Sequence, residues 1–487
     1  MKRPSLVFFV LLVLAVLSSV AVLLRYPAMY IVSFASCCYV FAFLLARWMV
    51  SRILPERLTR RSIVFNIGLL ASLVALFVVF VAVRSLFGML SDDGDAIPNK
   101  SALRNLRSLP YVNWVPADDT MGKSGVTQYD SALAYGGITI YAARSVPRSH
   151  LIDMSGRELH TWKLDPTATG PKDAPVWPLV ELCENGDLLA LSVDDMVTRV
   201  DWNSDTRWTS RFRAHHDFCV ADNGDVYALG REDAIVLLKG VPVPILADYI
   251  AVLSPEGSIK SRIPLCDILK DAVPWRTIAA IYKSILNPKR VAFVLWRTIK
   301  GQYSFENGSA FDVFHFNASQ LITKDIDGIC ERGDLLISAR NLDWVGILDR
   351  RGAVVRWEWG PGEISGQHHP TQLENGNILI FDNGLHGNHS RIIELDPRDN
   401  KIEWEYRAEP AEEFYSRIRG SCQRLPNGNT LVTDSEKGRA FEVTLGGEIV
   451  WEFYSPYMSR DGQQRAPIYR LLKINNPENY PFLRQLH

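Results

Sequence analysis

Neither sign of charge dominates this chain. Its 53 Lys and Arg stand against 54 Asp and Glu, a formal charge of -1 over 487 residues. Without a basic excess, a nucleic-acid role has no electrostatic footing. Cysteine is sparse: there are seven, of which Cys37 and Cys38 fall in an apolar stretch, leaving Cys183, Cys219, Cys266, Cys330 and Cys422. Five is odd, so an oxidising compartment allows one or two disulfides with at least one free thiol, in no assignable pairing. A phosphate-cradling loop is missing as well. The only Walker-like fragment, Gly122-Lys123-Ser124, lacks the upstream glycine, because position 117 is Ala117. His386 and His389 resemble a metal pair, yet they sit in Leu385-His386-Gly387-Asn388-His389 without clustered Cys or carboxylates. No metal and no cofactor are expected.

What is present divides the chain in two. Ser5 to Leu24, Ala28 to Ala46 and Ile63 to Val83 are apolar stretches that each approach the ~20 residues needed to cross a bilayer as a helix. Arg47, Arg52, Arg57, Arg60 and Arg61 lie between the second and third with only Glu56 opposing them, and Lys2 and Arg3 precede the first. Positive charge near span ends stays in the cytoplasm, so three crossings put everything after Arg84 outside. A cleaved signal peptide is the competing reading of the first stretch, but two further spans follow closely, which favours a retained anchor. The first 90 residues hold nine Lys and Arg against one acid, leaving 44 basic and 53 acidic residues for the rest. The expected organisation is an anchor over 1–90, a connector over 91–134, a repeat domain over 135–456 and a tail over 457–487. Sequons at Asn99, Asn307, Asn317 and Asn388 matter only in a glycosylating host.

Within the repeat domain a short motif recurs five times. Glu184-Asn185-Gly186-Asp187, Asp222-Asn223-Gly224-Asp225, Glu331-Arg332-Gly333-Asp334, Glu374-Asn375-Gly376-Asn377 and Pro426-Asn427-Gly428-Asn429 each open an apolar strand. Asn-Gly favours a two-residue hairpin turn, since both positions tolerate positive φ. Strands ending in Trp162, Trp357, Trp404 and Trp451 close the units, and these tryptophans read as packing between units. Repeats of this length, made of small antiparallel sheets, predict an all-β fold, a six-bladed β-propeller. Its blades begin near Gly137, Trp177, His216, His315, His368 and Gly420, and about 264–310 reads as a helical insertion. The three spans precede it.

Histidine marks the candidate site. His216 lies seven residues before Asn223, and His368 lies seven before Asn375, so two blades present imidazoles in one register. Asn317 shares a strand face with His315 by alternation, which promotes a histidine that alone would read as structural. His215 and His369 are expected to face the opposite side of their strands. Arg391 is open to two readings, an oxyanion contact or a hairpin clamp on Asp382.

At these positions the chain resembles the arylsulfotransferases that use aryl sulfate esters as donors. The resemblance rests on Gly125-Val126-Thr127-Gln128-Tyr129-Asp130, His215-His216-Asp217, His315-Phe316-Asn317, Ser338-Ala339-Arg340-Asn341, Gln367-His368 and Phe381-Asp382-Asn383-Gly384 with Ser390-Arg391. It runs from Gly125 to about Phe453. It implies a site at the central channel, His368 as a transiently sulfated nucleophile, and His216, His315, Asn317 and Arg340 around it. Arg391 and His369 are candidate substrate-binding residues. The partners implied are an aryl sulfate donor and a phenolic acceptor, with no nucleotide. The anchor, the doubled His368-His369 and the large insertion before His315 depart from the family pattern.

The residue types suit the chemistry. Sulfuryl transfer resembles phosphoryl transfer: a loose transition state spreads charge over three oxygens, so positioning and electrostatics carry the catalysis. Arg340 offers a permanent fork of donors, Asn317 a neutral donor, and His315 or His216 a proton for the leaving phenolate. Two other classes stay open at this level. One is a quinoprotein, because Trp-ending strands after an Asp-x-x-Gly turn also occur there; the other is a propeller that binds an envelope partner without chemistry.

Overall fold

The computed structural model describes residues 114–117, 120–144, 146–163, 177–285, 310–474, 480 and 482–483. The three apolar stretches expected to span a membrane lie outside them. Among the described residues no helix is long and apolar enough to cross a membrane.

Contacts divide the chain into two compact units. The larger comprises Arg104–Ala234, Pro244–Lys270 and Phe305–His487. It is an all-β propeller of six antiparallel sheets. Blade 2 runs Leu179–Leu182, Leu188–Ser192, Met196–Val200 and Thr206–Arg211, and blade 3 runs Ala214–Val220, Val226–Leu238, Val241–Leu253 and Ile259–Pro264. Blade 4 holds Phe316–Leu321, Leu335–Ala339, Trp344–Leu348 and Val355–Trp359; blade 5 holds His368–Gln372, Ile378–Asp382, Arg391–Asp396 and Lys401–Tyr406.

The ring closes with strands from both ends of the domain. Ile468–Lys473 is the first strand of blade 1, pairing with Thr139–Ala143, which is followed by Arg148–Ile152 and Glu158–Lys163. Blade 6, Ser421–Arg424, Thr430–Asp434, Arg439–Val443 and Ile449–Tyr454, takes Gly125–Tyr129 as a fifth, outermost strand. The propeller therefore reaches beyond 135–456 on both sides, into the expected connector and tail. Their strand signals are single copies, invisible to a search for repeats.

The other unit comprises Met1–Leu103, Ile235–Val243 and Asp271–Ser304. Its described parts are a hairpin tip and the helix Trp275–Ile285, where Tyr282 donates to the Pro242 carbonyl at 2.5 Å.

The repeated motif folds differently from the expected turn. Gly186, Gly224, Gly333, Gly376 and Gly428 have φ between 81° and 89°, while the asparagines before them keep negative φ. Gly186 donates to Cys183 O at 2.9 Å and Cys183 donates to Asp187 O at 2.8 Å, a type I turn with a glycine bulge. Asparagine is selected for its side chain. Asn185, Asn223, Asn375 and Asn427 each accept the amide two residues on, at 3.0–3.2 Å.

Blades adhere through apolar layers and a recurring indole bond. Trp357 Nε1 donates to Asn400 Oδ1 in the next blade at 2.9 Å, Trp404 Nε1 to Leu445 O at 2.9 Å, and Trp451 Nε1 to Met154 O at 3.0 Å. The tryptophans expected as packing do pack, and in Trp357, Trp404 and Trp451 the one donor fixes the spacing of neighbouring blades, whereas the buried Trp162 Nε1 has no hydrogen-bond partner among the described residues. Cys183, Cys219, Cys266, Cys330 and Cys422 are all free, so none of the disulfides their number allows is formed among them. Each belongs to a blade strand or its connections, and burial pushes the pKa of every one of these thiols up.

Candidate functional site

Register explains which residues converge. Cys219 pairs with Tyr227, Gln320 with Leu336, Thr371 with Leu379 and Leu472 with Ile140, each partner being the second residue of its blade's second strand. Three residues before these pairs stand His216, Asn317, His368 and Tyr469. His216 and His368 thus share one end of the channel, as their spacing predicts. In blade 4 the equivalent position belongs to Asn317, which corrects the placement of His315 in that register. His315 lies two residues ahead, outside the ladder, with φ 52°. The alternation argument joining it to Asn317 fails with it, because the ladder slips between Phe316 and Ala318. A second ring lies four residues past the same partners: Arg144, Arg231, Arg340 and Asn383. All four are buried.

His368 is the most tightly specified of the imidazoles. Its Nδ1 is 2.8 Å from Asn383 Oδ1 and 3.0 Å from Gly366 O. The Asn383 amide donates to Ser416 O at 2.6 Å and to Arg419 O at 2.8 Å, which turns its oxygen toward His368. Both neighbours of Nδ1 are acceptors, so Nδ1 carries the hydrogen and Nε2 the lone pair. Burial, the Arg340 charge and His315 together hold the His368 pKa down to about 3. At neutral pH it is uncharged.

His315 has a different partner. Its Nδ1 is 2.6 Å from Asp312 Oδ2, and the Arg231 guanidinium is 3.8 Å from the same oxygen. Burial works against the Asp312 carboxylate, but His315 and Arg231 outweigh it and hold its pKa down to about 2. The His315 ring meets that of His216 edge to face, centroids 4.5 Å apart. Burial, followed by His315, His215, Arg231 and His368, lowers the His216 pKa.

Arg340 and Asn317 supply donors. Arg340 is buried, its Nη1 donating to Asn341 Oδ1 at 3.1 Å, and its Nε has no hydrogen-bond partner among the described residues. Asn317 Nδ2 donates to Gln367 O at 2.8 Å, tying blade 4 to the residue before His368. Gln367 is itself held by Ser338 Oγ and Trp344 O, both at 2.9 Å.

Two residues named from sequence stand apart. His369, with φ 49°, turns into the seam with blade 6, where its Nδ1 is 2.9 Å from Cys422 O. Arg391 donates to Asp382 at 2.8 Å, Glu405 at 2.8 Å and Glu363 O at 2.6 Å. The geometry is that of the hairpin clamp. Asp312 and Arg231 were missed: an aspartate three residues before His315 was a legible signal, whereas the shared register of Arg231 and Arg340 emerges only from the ladder pairs. Below the imidazoles, Asp217 of blade 3 accepts from Arg470 of blade 1 at 2.9 Å and from the Ser319 amide of blade 4 at 3.0 Å. This bonded cluster joins three blades at the channel. Among the described residues no group of His, Cys, Asp and Glu could hold a metal.

Comparison with known proteins bears directly on this constellation. Residues 289–456 match the arylsulfotransferase family, described as Arylsulfotransferase (ASST). The matched segment carries His315, Asn317, Arg340 and His368 and excludes His216. No curated protein matches the chain. Among solved structures, a protein of unknown function from Bacteroides caccae is similar at 11% identity and TM-score 0.43, over 68% of this chain and 97% of that one. A streptogramin B lyase is similar at 11% identity and TM-score 0.39, over 74% and 95%. A catalytically inactive virginiamycin B lyase from Staphylococcus aureus with quinupristin gives 11% and 0.38, over 72% and 87%. The family match suggests a sulfotransferase with small-molecule aryl sulfate and phenol substrates.

Proposed function

We propose that the protein transfers a sulfuryl group from an aryl sulfate ester to a phenolic or other hydroxyl acceptor in two steps through a sulfohistidine. The carrying observation is the bond from His368 Nδ1 to Asn383 Oδ1, which leaves the Nε2 lone pair for sulfur. In the first step Nε2 attacks, the N–S bond forms and the aryl S–O bond breaks. His315, its Nδ1 bonded to Asp312 Oδ2, gives a proton from Nε2 to the departing aryl oxide. In the second step the acceptor oxygen attacks sulfur, the N–S bond breaks, and His315 takes the acceptor's proton back. Arg340 and Asn317 offer N–H donors to the sulfuryl oxygens, whose charge grows in the transition state. His216 supports the imidazole cluster. His369 and Arg391 belong to the surrounding frame rather than to substrate contacts.

The arginine-rich loop and the odd number of apolar stretches support an anchored propeller on the periplasmic or extracellular side of the cell membrane. Reporter fusions after Leu54 and after Asp95 test it, the first reading cytoplasmic and the second external. The activity itself is tested by incubating the protein with p-nitrophenyl sulfate and a phenol. Acceptor-dependent nitrophenol release is the expected result; absence of release in the presence and absence of acceptor contradicts the reading.

A further inference from the structure

Large apolar side chains gather on the outside of the smaller unit. Ile235 and Leu237, two positions apart and so on one face of their strand, are 66% and 59% exposed, whereas Leu238 is fully buried. The hairpin turns at Lys239 and Gly240, whose φ values of 48° and 80° are both left-handed. Helix Trp275–Ile285 lies against it, through the Tyr282 bond to Pro242 O and through the Lys239 ammonium, 5.7 Å from the centroid of the Trp275 ring. The helix buries Ile278, Ala280 and Ile281 and leaves Trp275 43% exposed. Arg276 and Lys283, seven residues apart and therefore on one side of the helix, are exposed with it.

Charge gathers in the same place. Ile235–Val243 and Asp271–Ile285 hold Lys239, Arg276 and Lys283 against Asp271 alone, and the residues that follow in sequence, 286–304, add Lys289, Arg290, Arg297 and Lys300 without an acid. The chain after residue 90 is acidic as a whole, with 53 acids to 44 bases. We propose that this hairpin and helix dock on the surface of a phospholipid bilayer bearing anionic headgroups, with Ile235, Leu237 and Trp275 entering the interface and Lys239 and Lys283 meeting phosphates. Exposed aliphatic side chains bordered by an indole and by lysines suit such an interface: the apolar groups leave water, the indole sits at headgroup level, and the lysine stems lie along apolar surface while their charges reach outward. The chain's own apolar stretches suit the face less well, because Lys2, Arg3 and the arginines from Arg47 to Arg61 flank them with charge of the same sign. A second copy would likewise bring cations against cations. The docking is independent of the chemistry proposed for the channel.

The test places the photo-crosslinker p-benzoylphenylalanine at Leu237, at Trp275 and, as a control, at Val354, which is 57% exposed in the larger unit. Full-length protein is reconstituted into vesicles of phosphatidylcholine with or without phosphatidylglycerol, and mass spectrometry after illumination reads what each position has captured. Phospholipid adducts at Leu237 and Trp275 should exceed those at Val354 about tenfold in the anionic vesicles. They should fall about tenfold without phosphatidylglycerol, and equally in Lys239→Asn, Lys283→Gln, which removes both charges and keeps a residue suited to the left-handed turn. Capture of phospholipid equally at all three positions or at none overturns the proposal. Adducts indifferent to phosphatidylglycerol overturn it too, and so does capture of residues 1–90 or of a second copy in place of lipid.

Discussion

His368 Nδ1 and Asn383 Oδ1 stand 2.8 Å apart, and the Asn383 amide is held in turn by two carbonyl oxygens of the segment that joins blade 5 to blade 6, those of Ser416 and Arg419. One side chain thus orients the His368 ring and holds the segment that leads into blade 6. Asn383→Ala should therefore lower turnover by on the order of 10²-fold through misplacement of the ring. Unfolding should become easier by ~1–3 kcal/mol for the carbonyls left buried and unpaired. Rate and denaturant midpoint measured on one preparation check both; loss of stability with full activity would separate the bond from catalysis.

Arg340→Lys removes a planar fork and leaves a point charge. If the guanidinium holds sulfuryl oxygens, kcat should fall by about 10²–10³-fold. The variant should keep the wild-type far-UV spectrum, because the charge is retained in the same buried position. Wild-type turnover in Arg340→Lys would remove Arg340 from the site.

Asp217 and Arg470 are predicted to act on stability first. Both are buried and bonded at 2.9 Å, and removing one partner strands a charge at a cost of about 3–5 kcal/mol. Arg470→Met and Asp217→Asn should each lower the melting temperature by several degrees. A combined Asp217→Asn, Arg470→Met variant should lose less than the sum of the two. Additive losses would mean that the pair does not couple.

Acid should weaken the fold through its imidazoles. Burial holds the pKa values of His216, His368 and His369 below the usual histidine range. Below about pH 6.5 the unfolded chain takes up protons that the folded chain refuses, so stability falls as pH drops. For His368 this continues toward about 3. Each imidazole contributes a slope of ~1.4 kcal/mol per pH unit once well below 6.5. Asp312, held at about 2, acts lower: its stabilisation is complete above the usual carboxylate pKa and is lost as pH falls through about 2. Unfolding free energies between pH 7 and 5 should show the decline, with a shallower slope in His369→Asn. A flat profile contradicts it.

Six blades, the channel end shared by His216 and His368, and the packing role of the tryptophans were legible because each is written several times in the sequence. Strands written once, Gly125–Tyr129 and Ile468–Lys473, were not. The turn type was misread because Asn185 and its equivalents work through a side-chain bond rather than through backbone freedom. His315 and His216 show the limit of alternation: a single left-handed residue re-aims a ring, and nothing in its local sequence announces the bulge. Arg231 and Asn383 became readable as equivalents of Arg340 only when the ladder pairs aligned the second strands.

The central claim is that His368 carries the sulfuryl group, and intact-mass spectrometry of protein quenched after incubation with aryl sulfate alone tests it most directly. An acid-labile gain of about 80 mass units is expected for the covalent intermediate in wild type and in His369→Asn, and none in His368→Asn. An adduct that survives in His368→Asn and disappears in His369→Asn would contradict the account.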